Sequence, residues 1–320
     1  MHKIKNILLR SIYDSRGMPT IQAELLLDNK IGVFSVPSGA SKGQKEALEL
    51  RDDDGFGVNQ VIDLANKNLV PALINNSFTQ DLLDEMLINI DGTPNKSNFG
   101  ANTLLAISAA FFKATKGIDD FSIYQSMKEA VFPLPLVNII NGGKHANNDL
   151  AIQEFMISAV GAKSFSQALL WSAKVFHSLK NILHKKGYSV AVGDEGGFAP
   201  NLSTDHQALE LIIQAIEQAG LRPQQDIAIA LDVAAGELYD TYSKKYTLNQ
   251  SFFTSTELLK HYEKLISNFG IFSIEDPFFE EDFSGFSKIT DVLGDKIQVV
   301  GRSEEHTSEL QSHWYISYAV

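Results

Sequence analysis

Ile227-Ala-Ile-Ala-Leu231-Asp232, Ile271-Phe-Ser-Ile274-Glu275 and Ile297-Gln-Val-Val300-Gly301 are three short apolar runs, the first two ending on a carboxylate. Runs of this kind, without alternation, read as strands covered on both faces, and such strands alternating with helices are the pattern of a parallel α/β sheet or barrel. The helical signal is clearest just upstream, over Thr204–Ala219. There Leu209, Ile212, Ile213 and Ile216 fall at helical spacing, Thr204 with Gln207 has the form of a capping box, and Gly220 can end the helix. In a parallel barrel the carboxyl ends of the strands converge, so Asp232 and Glu275 can point at one ion. Such an arrangement suits Mg2+, which takes hard oxygen ligands from one or two carboxylates. The same spacing also fits either carboxylate merely capping the next helix.

Working outward, the first 125 residues read as a separate α+β unit. Ile4–Ile12, Thr20–Leu27 and Ile31–Val36, split by Asp14-Ser-Arg-Gly17 and Asp28-Asn29, predict a three-stranded antiparallel meander. Helical patterns follow at 58–74, 79–90 and 101–116, the last apolar nearly all round and therefore expected to be buried. Pro133 and Pro135 mark the change to the second unit.

Composition narrows the chemistry. The 320 residues carry 27 Lys and Arg against 39 Asp and Glu, a net charge of -12, which gives no general attraction for nucleic acid or anionic lipid. With no cysteine, thiolate nucleophiles, disulfides, iron–sulfur clusters and Cys-bearing zinc sites are excluded, leaving Asp, Glu, His and Lys for acid–base or metal work. Met1–Arg10 holds no apolar core of a signal peptide, and no run of about 18 apolar residues occurs, so a soluble, cytoplasmic chain is expected.

Three further stretches hold candidate groups. Val192-Gly-Asp-Glu-Gly-Gly-Phe198 sets Asp194 and Glu195 among glycines, where paired carboxylates can raise one pKa and prepare a general acid; an acidic turn is the plainer alternative. Asn141-Gly-Gly-Lys-His-Ala-Asn147 is a polar Gly-rich loop holding His145, with Gln153 and Glu154 close behind, although a loop histidine is more often solvated than catalytic. Pro37-Ser-Gly-Ala-Ser-Lys-Gly43 can wrap an anionic group with its backbone amides, a weak signal alone. Gly55-Phe-Gly57 lacks the third glycine of a dinucleotide fingerprint, and His177 and His184 lie on a helical pattern.

Together these stretches resemble the enolase family, the 2-phospho-D-glycerate hydratases. The resemblance is carried by Tyr13–Thr20, Val36–Ser41 with Glu46–Asp52, Leu87–Gly92 with Asn95–Ser97 and Gly100–Asn102, Asn138–His145, Ile152-Gln-Glu-Phe-Met-Ile157, Gly193–Gly197, Leu231–Val233 and Ser273-Ile-Glu-Asp-Pro277, in the family's order. It implies an N-terminal α+β cap over residues 1–125, an enolase-type TIM-like α/β barrel from 126, incomplete by 301, and two Mg2+ ions. It also implies that Asp232 and Glu275 are two of three carboxylates on one metal, and that Ser41 is a ligand to the second. Glu195 is then the general acid toward the departing 3-hydroxyl, with Glu154 beside that leaving group. Gln153, His145, Gly39 and Ala40 fall at substrate-contacting positions. The family implies 2-phosphoglycerate and phosphoenolpyruvate as ligands and a homodimer or larger assembly; from the acidic composition no direct nucleic-acid or membrane binding is expected.

The family's chemistry explains the gathering of charge. Loss of a proton alpha to a carboxylate leaves two negative charges on that group, which metal ions stabilise best, while an acid must protonate the departing hydroxide. At Gly301 the resemblance stops: where the family continues with Asp-Asp, Arg302-Ser-Glu-Glu-His-Thr-Ser-Glu-Leu-Gln-Ser-His313 follows, which resembles a translated sequencing adapter. The expectation is that 302–320 is a non-native tail and that this chain, without the base lysine and the third metal Asp, is inactive and poorly soluble. Two other readings stay open: a non-catalytic enolase-derived binding protein for plasminogen or RNA-processing partners, and another lyase or racemase of the superfamily.

Overall fold

In a computed structural model the chain separates into two compact units, Met1–Ala130 and Val131–Val320. The structure describes residues 1–38, 46–116, 133–193 and 195–301. Gly39, Ala40 and Ser41, Asp194, and the tail 302–320 with Arg302 lie outside the described residues.

In the first unit β1 (His2–Lys3) pairs with β5 (Ser77–Phe78), while β2 (Asn6–Tyr13), β3 (Pro19–Leu26) and β4 (Ile31–Ser35) form the antiparallel meander. Strand alternation puts Ile7 and Leu9 of β2 and Ile21, Ala23 and Leu25 of β3 inside. The β2–β3 turn closes because the Asp14 carboxylate accepts from the amides of Arg16 and Met18 at 2.9 and 2.8 Å. Helices α1 (Asn59–Asn68), α2 (Val70–Leu73), α3 (Gln80–Asp91) and α4 (Ala101–Lys116) cover this sheet's core. The single helix expected over 58–74 breaks at Leu69, because Pro71 has no amide to continue the α1 ladder. The start of α1 is capped from a distance, by the Asp52 carboxylate accepting from Asn59 and Gln60 at 2.9 Å each. Helix α4 is not buried all round: Leu104, Ile107 and Phe111 face the core, but Leu105 and Phe112 are 48% and 40% exposed. Gly32 of β4 lets α4 approach, since a Cβ there would lie 1.9 Å from the Ala110 carbonyl oxygen.

The second unit holds β6 (Val137–Asn141), β7 (Glu154–Ser158), α5 (Phe165–Lys185), α6 (Asp205–Gln218), β8 (Ala228–Asp232), β9 (Tyr239–Asp240), β10 (Lys245–Leu248), β11 (Ser251–Phe253), α7 (Ser255–Phe269), β12 (Ile271–Glu275), α8 (Phe283–Leu293) and β13 (Gln298–Val300). Its main sheet runs β13-β12-β8-β7-β6 and is open among the described residues, as an incomplete barrel would be. Among the described residues β6, β8, β12 and β13 run in one direction, with β8–β12 and β12–β13 as parallel neighbours, while β7 runs antiparallel to both β6 and β8. The departure from an all-parallel sheet has a simple cause. A loop without a crossover helix joins β6 to β7, and two helices, not one, join β7 to β8, so the chain reverses at each step. Strand residues Ile139, Phe155, Ile157, Ile229, Leu231 and Ile274 pack with Leu179, Ile212 and Leu265 into one core. Each such buried side chain contributes about 1.5–3 kcal/mol.

Thr204 caps α6 as anticipated, accepting from the Gln207 amide at 3.2 Å, but the box does not close: Gln207 Oε1 accepts from Ser203 N and its amide reaches Tyr188 Oη. The reciprocal box forms instead at α7, between Thr254 and Glu257. No helix among the described residues is long and apolar enough to cross a membrane.

Candidate active site

Register assembles the site. Glu154, first residue of β7, lies opposite Asp232, last residue of β8, which in turn lies opposite Glu275, last residue of β12. Because β7 is antiparallel, its beginning sits at the same sheet edge as the ends of its parallel neighbours. Cross-strand partners are about 5 Å apart on one face, so three strands deliver three carboxylates to one edge.

Asp232 is buried, and its Oδ1 accepts from the amide of Ala234 at 3.0 Å while Gln153 Nε2 donates to its Oδ2 at 3.3 Å. Glu275 is half-buried and continues the ladder, its carbonyl accepting from Val233 N at 2.9 Å. Neither carboxylate caps an α-helix: α7 and α8 are capped by Thr254 and Asp282, which removes the plainer reading of both. Asp276, the next residue, completes a cluster in which oxygens of Asp232, Glu275 and Asp276 lie within 4.8 Å of one another. Both turns that lead out of these strands are strained, with Ala234 at φ 47° and Asp276 at φ 43°. A non-glycine residue held in that region costs about 1–3 kcal/mol. Asp276 was not singled out from sequence; its place directly behind Glu275 in the Glu-Asp-Pro stretch was the available signal.

A second group forms beside it. His145, Glu154 and Glu195 bring one ligand atom each within 4.8 Å of one another. His145 sits in a short 3-10 turn, Gly143–His145, and is 4% exposed, so it is not the solvated loop histidine that its surroundings in sequence favoured. The loop is clamped to the residues before β7: Gly142 N donates to the Gln153 carbonyl at 2.9 Å and Gly143 N to the Leu150 carbonyl at 3.0 Å. His145 Nδ1 lies 3.2 Å from Glu154 Oε1, a charge contact without hydrogen-bond alignment. The adjoining Glu154 carboxylate is the main reason that the imidazole pKa stands above its ordinary value; burial opposes it, and the charges of Glu195 and Asp232 add to it. Lys144, next to His145, is ion-paired with Glu237 of the 3-10 turn after β8 at 2.5 Å.

Glu195 is exposed on a tight turn closed by Gly193 N donating to the Gly197 carbonyl at 2.8 Å. The glycines are required by close approach. A Cβ on Gly197 would lie 2.8 Å from the Ile139 carbonyl carbon, and one on Gly193 would lie 2.3 Å from Asn141 Nδ2. Asn141, fully buried at the end of β6, donates through Nδ2 to the Gly197 carbonyl at 3.0 Å, tying this turn to the sheet. The turn delivers Glu195 to His145 and Glu154.

The donor sets differ. Asp232, Glu275 and Asp276 present oxygens alone, as a hard divalent cation requires, whereas the His145 group includes an imidazole. Gln153, 1% exposed, keeps Oε1 buried without a hydrogen-bond partner beside the oxygen cluster, a polar atom left for a ligand to satisfy. The residues present therefore fit a divalent cation.

Fold and site place the chain among the α/β proteins that gather acidic side chains at the carboxyl ends of a central sheet's strands. Residues 4–127 match the family described as the enolase N-terminal domain, and residues 129–309 match the enolase C-terminal TIM barrel domain. The chain belongs to the enolase family, whose domains indicate a lyase type of function and a divalent metal.

Proposed function

We propose that this chain carries the machinery for reversible, Mg2+-dependent dehydration of 2-phospho-D-glycerate to phosphoenolpyruvate, a glycolytic and gluconeogenic reaction of the cytoplasm, within a homodimer or larger assembly. The observation that carries the reading is the in-register row Glu154–Asp232–Glu275, with His145 and Glu195 brought to its end.

In this reading Asp232 and Glu275, with Asp276 beside them, would hold Mg2+, and Ser41 would serve a second ion. When bound, the metal supplies positive charge against the negative charge that grows on the substrate carboxylate as its α-proton is lost. Glu195 gives its proton to the departing 3-hydroxyl, which leaves as water; Glu154, held beside it, orients that group. Gln153 and His145 bind and orient substrate, and the Glu154 carboxylate raises the His145 pKa above its ordinary value. Gly39 and Ala40 would, by the resemblance, be substrate-binding residues. By the resemblance the α-proton goes to a lysine that follows Gly301 in the family, so a polypeptide of these 320 residues binds the cation but does not turn over.

Phosphoenolpyruvate formation, followed by its ultraviolet absorbance, tests this. The 320-residue chain should show none. The same chain continued past Gly301 with an enolase C-terminal segment should turn over 2-phosphoglycerate, and Glu195→Gln should abolish that activity. An extended chain that is folded and metal-loaded yet inactive would overturn the reading, and turnover by the 320-residue chain would overturn its inactivity.

A further inference from the structure

Gln153 and Glu154 reach the site from 150–152, a stretch that precedes β7. What holds that stretch is a carboxylate outside the site. Asp205, 1% exposed at the first position of α6, accepts through Oδ1 from the amides of Ala151 and Ile152 at 3.2 Å each, and through Oδ2 from Asn249 Nδ2 at 2.6 Å. A merely local role is already filled: Thr204 is the cap of α6, and these bonds of Asp205 all leave its own helix. Burying a carboxylate is costly unless donors surround it, and here two backbone amides, a carboxamide and a helix N-terminus do so.

We propose that Asp205 is a positioning residue of the site: by fixing the Ala151–Ile152 backbone it aims Gln153 at Asp232 and Glu154 at His145. The proposal rests on the reading of Gln153 and Glu154 as site residues. A displacement of 151–152 would reach the site directly, because Gln153 Nε2 holds Asp232 at 3.3 Å and Glu154 holds His145 at 3.2 Å. The neighbouring clamp from Gly142 ties the His145 loop to the same stretch. Asp205 thus steadies both sides of the His145–Glu154 contact without touching either side chain.

The test is amide hydrogen exchange, with Mn2+ titration, on the 320-residue chain and two variants. Asp205→Ala removes both acceptors. Asp205→Asn keeps an oxygen toward the two amides and can donate to Asn249 Oδ1, which is buried and unpartnered, once that carboxamide turns over. In Asp205→Ala, exchange at 151–154 should rise at least about tenfold while 228–232 stays near the parent rate. Mn2+ binding should weaken about tenfold, the scale of losing a group that orients a ligand. Asp205→Asn should restore both. Unchanged exchange at 151–154 in folded Asp205→Ala, acceleration spread evenly over the sheet, or Asp205→Asn behaving as Asp205→Ala would each overturn the proposal. A parent chain that binds no Mn2+ overturns the metal reading of the preceding section, and the exchange comparison still decides Asp205.

Discussion

Glu154 and Asp232 are direct partners in the β7–β8 ladder, the one opening its strand and the other closing it. The antiparallel insertion of β7 between β6 and β8 is what allows a strand's first residue to share an edge with its neighbours' last ones.

Glu154 should set the protonation of His145. Because the carboxylate raises the imidazole pKa, the charged form is favoured in the folded state; the resulting stability is present below the unfolded histidine value and is lost as pH rises through the folded value. Glu154→Gln should bring the His145 pKa down, read from the imidazole proton shifts in an NMR titration. A pKa that does not move would show that the contact at 3.2 Å is electrostatically silent.

The turn carrying Glu195 should tolerate side chains at one glycine far better than at another. Gly197→Ala drives a Cβ into the β6 backbone at 2.8 Å and should cost about 3 kcal/mol or more, the upper end of overpacking. Gly196 has φ +81° but nothing near its would-be Cβ, so Gly196→Ala should cost only backbone strain of about 1–2 kcal/mol. Urea midpoints at unchanged slope measure both; equal losses would contradict the crowding argument.

Asp205 should make stability pH-dependent in an unusual direction. Burial raises its pKa, outweighing the lowering from its donors, so the folded state holds this proton more tightly than the unfolded one. Stability from this group therefore falls as pH rises from the ordinary carboxylate value through the folded value. Asp205→Asn removes the effect, so the parent chain should gain stability relative to Asp205→Asn as pH is lowered across that window. A stability difference that stays constant with pH would show that burial does not govern this carboxylate.

What the sequence made legible, and what it did not, divides along physical lines. Period-two alternation set the meander, and apolar runs ending in Asp232 and Glu275 located β8 and β12, because both signals are local. The antiparallel run of β7 was not legible, since strand direction depends on how many helices intervene and not on the residues of Glu154–Ser158. The small sheet β9–β11 was missed because its turn uses Asn249 and Gln250 at φ 48° and 62°, without the glycine that usually marks such a turn. Asp205 stands in the first turn of an amphipathic helix, where an acid is ordinary, and its partners at 151, 152 and 249 are visible only in three dimensions.

The edge defined by Asp232 and Glu275 should bind a divalent cation. Calorimetric titration of the 320-residue chain with Mg2+, or Mn2+ followed by electron paramagnetic resonance, tests it most directly. One ion should bind tightly, with affinity lowered at least about tenfold in Asp232→Asn and in Glu275→Gln and retained in Glu210→Gln, an exposed residue of α6. Binding of equal strength in all four proteins, or none in the folded parent, would contradict the account.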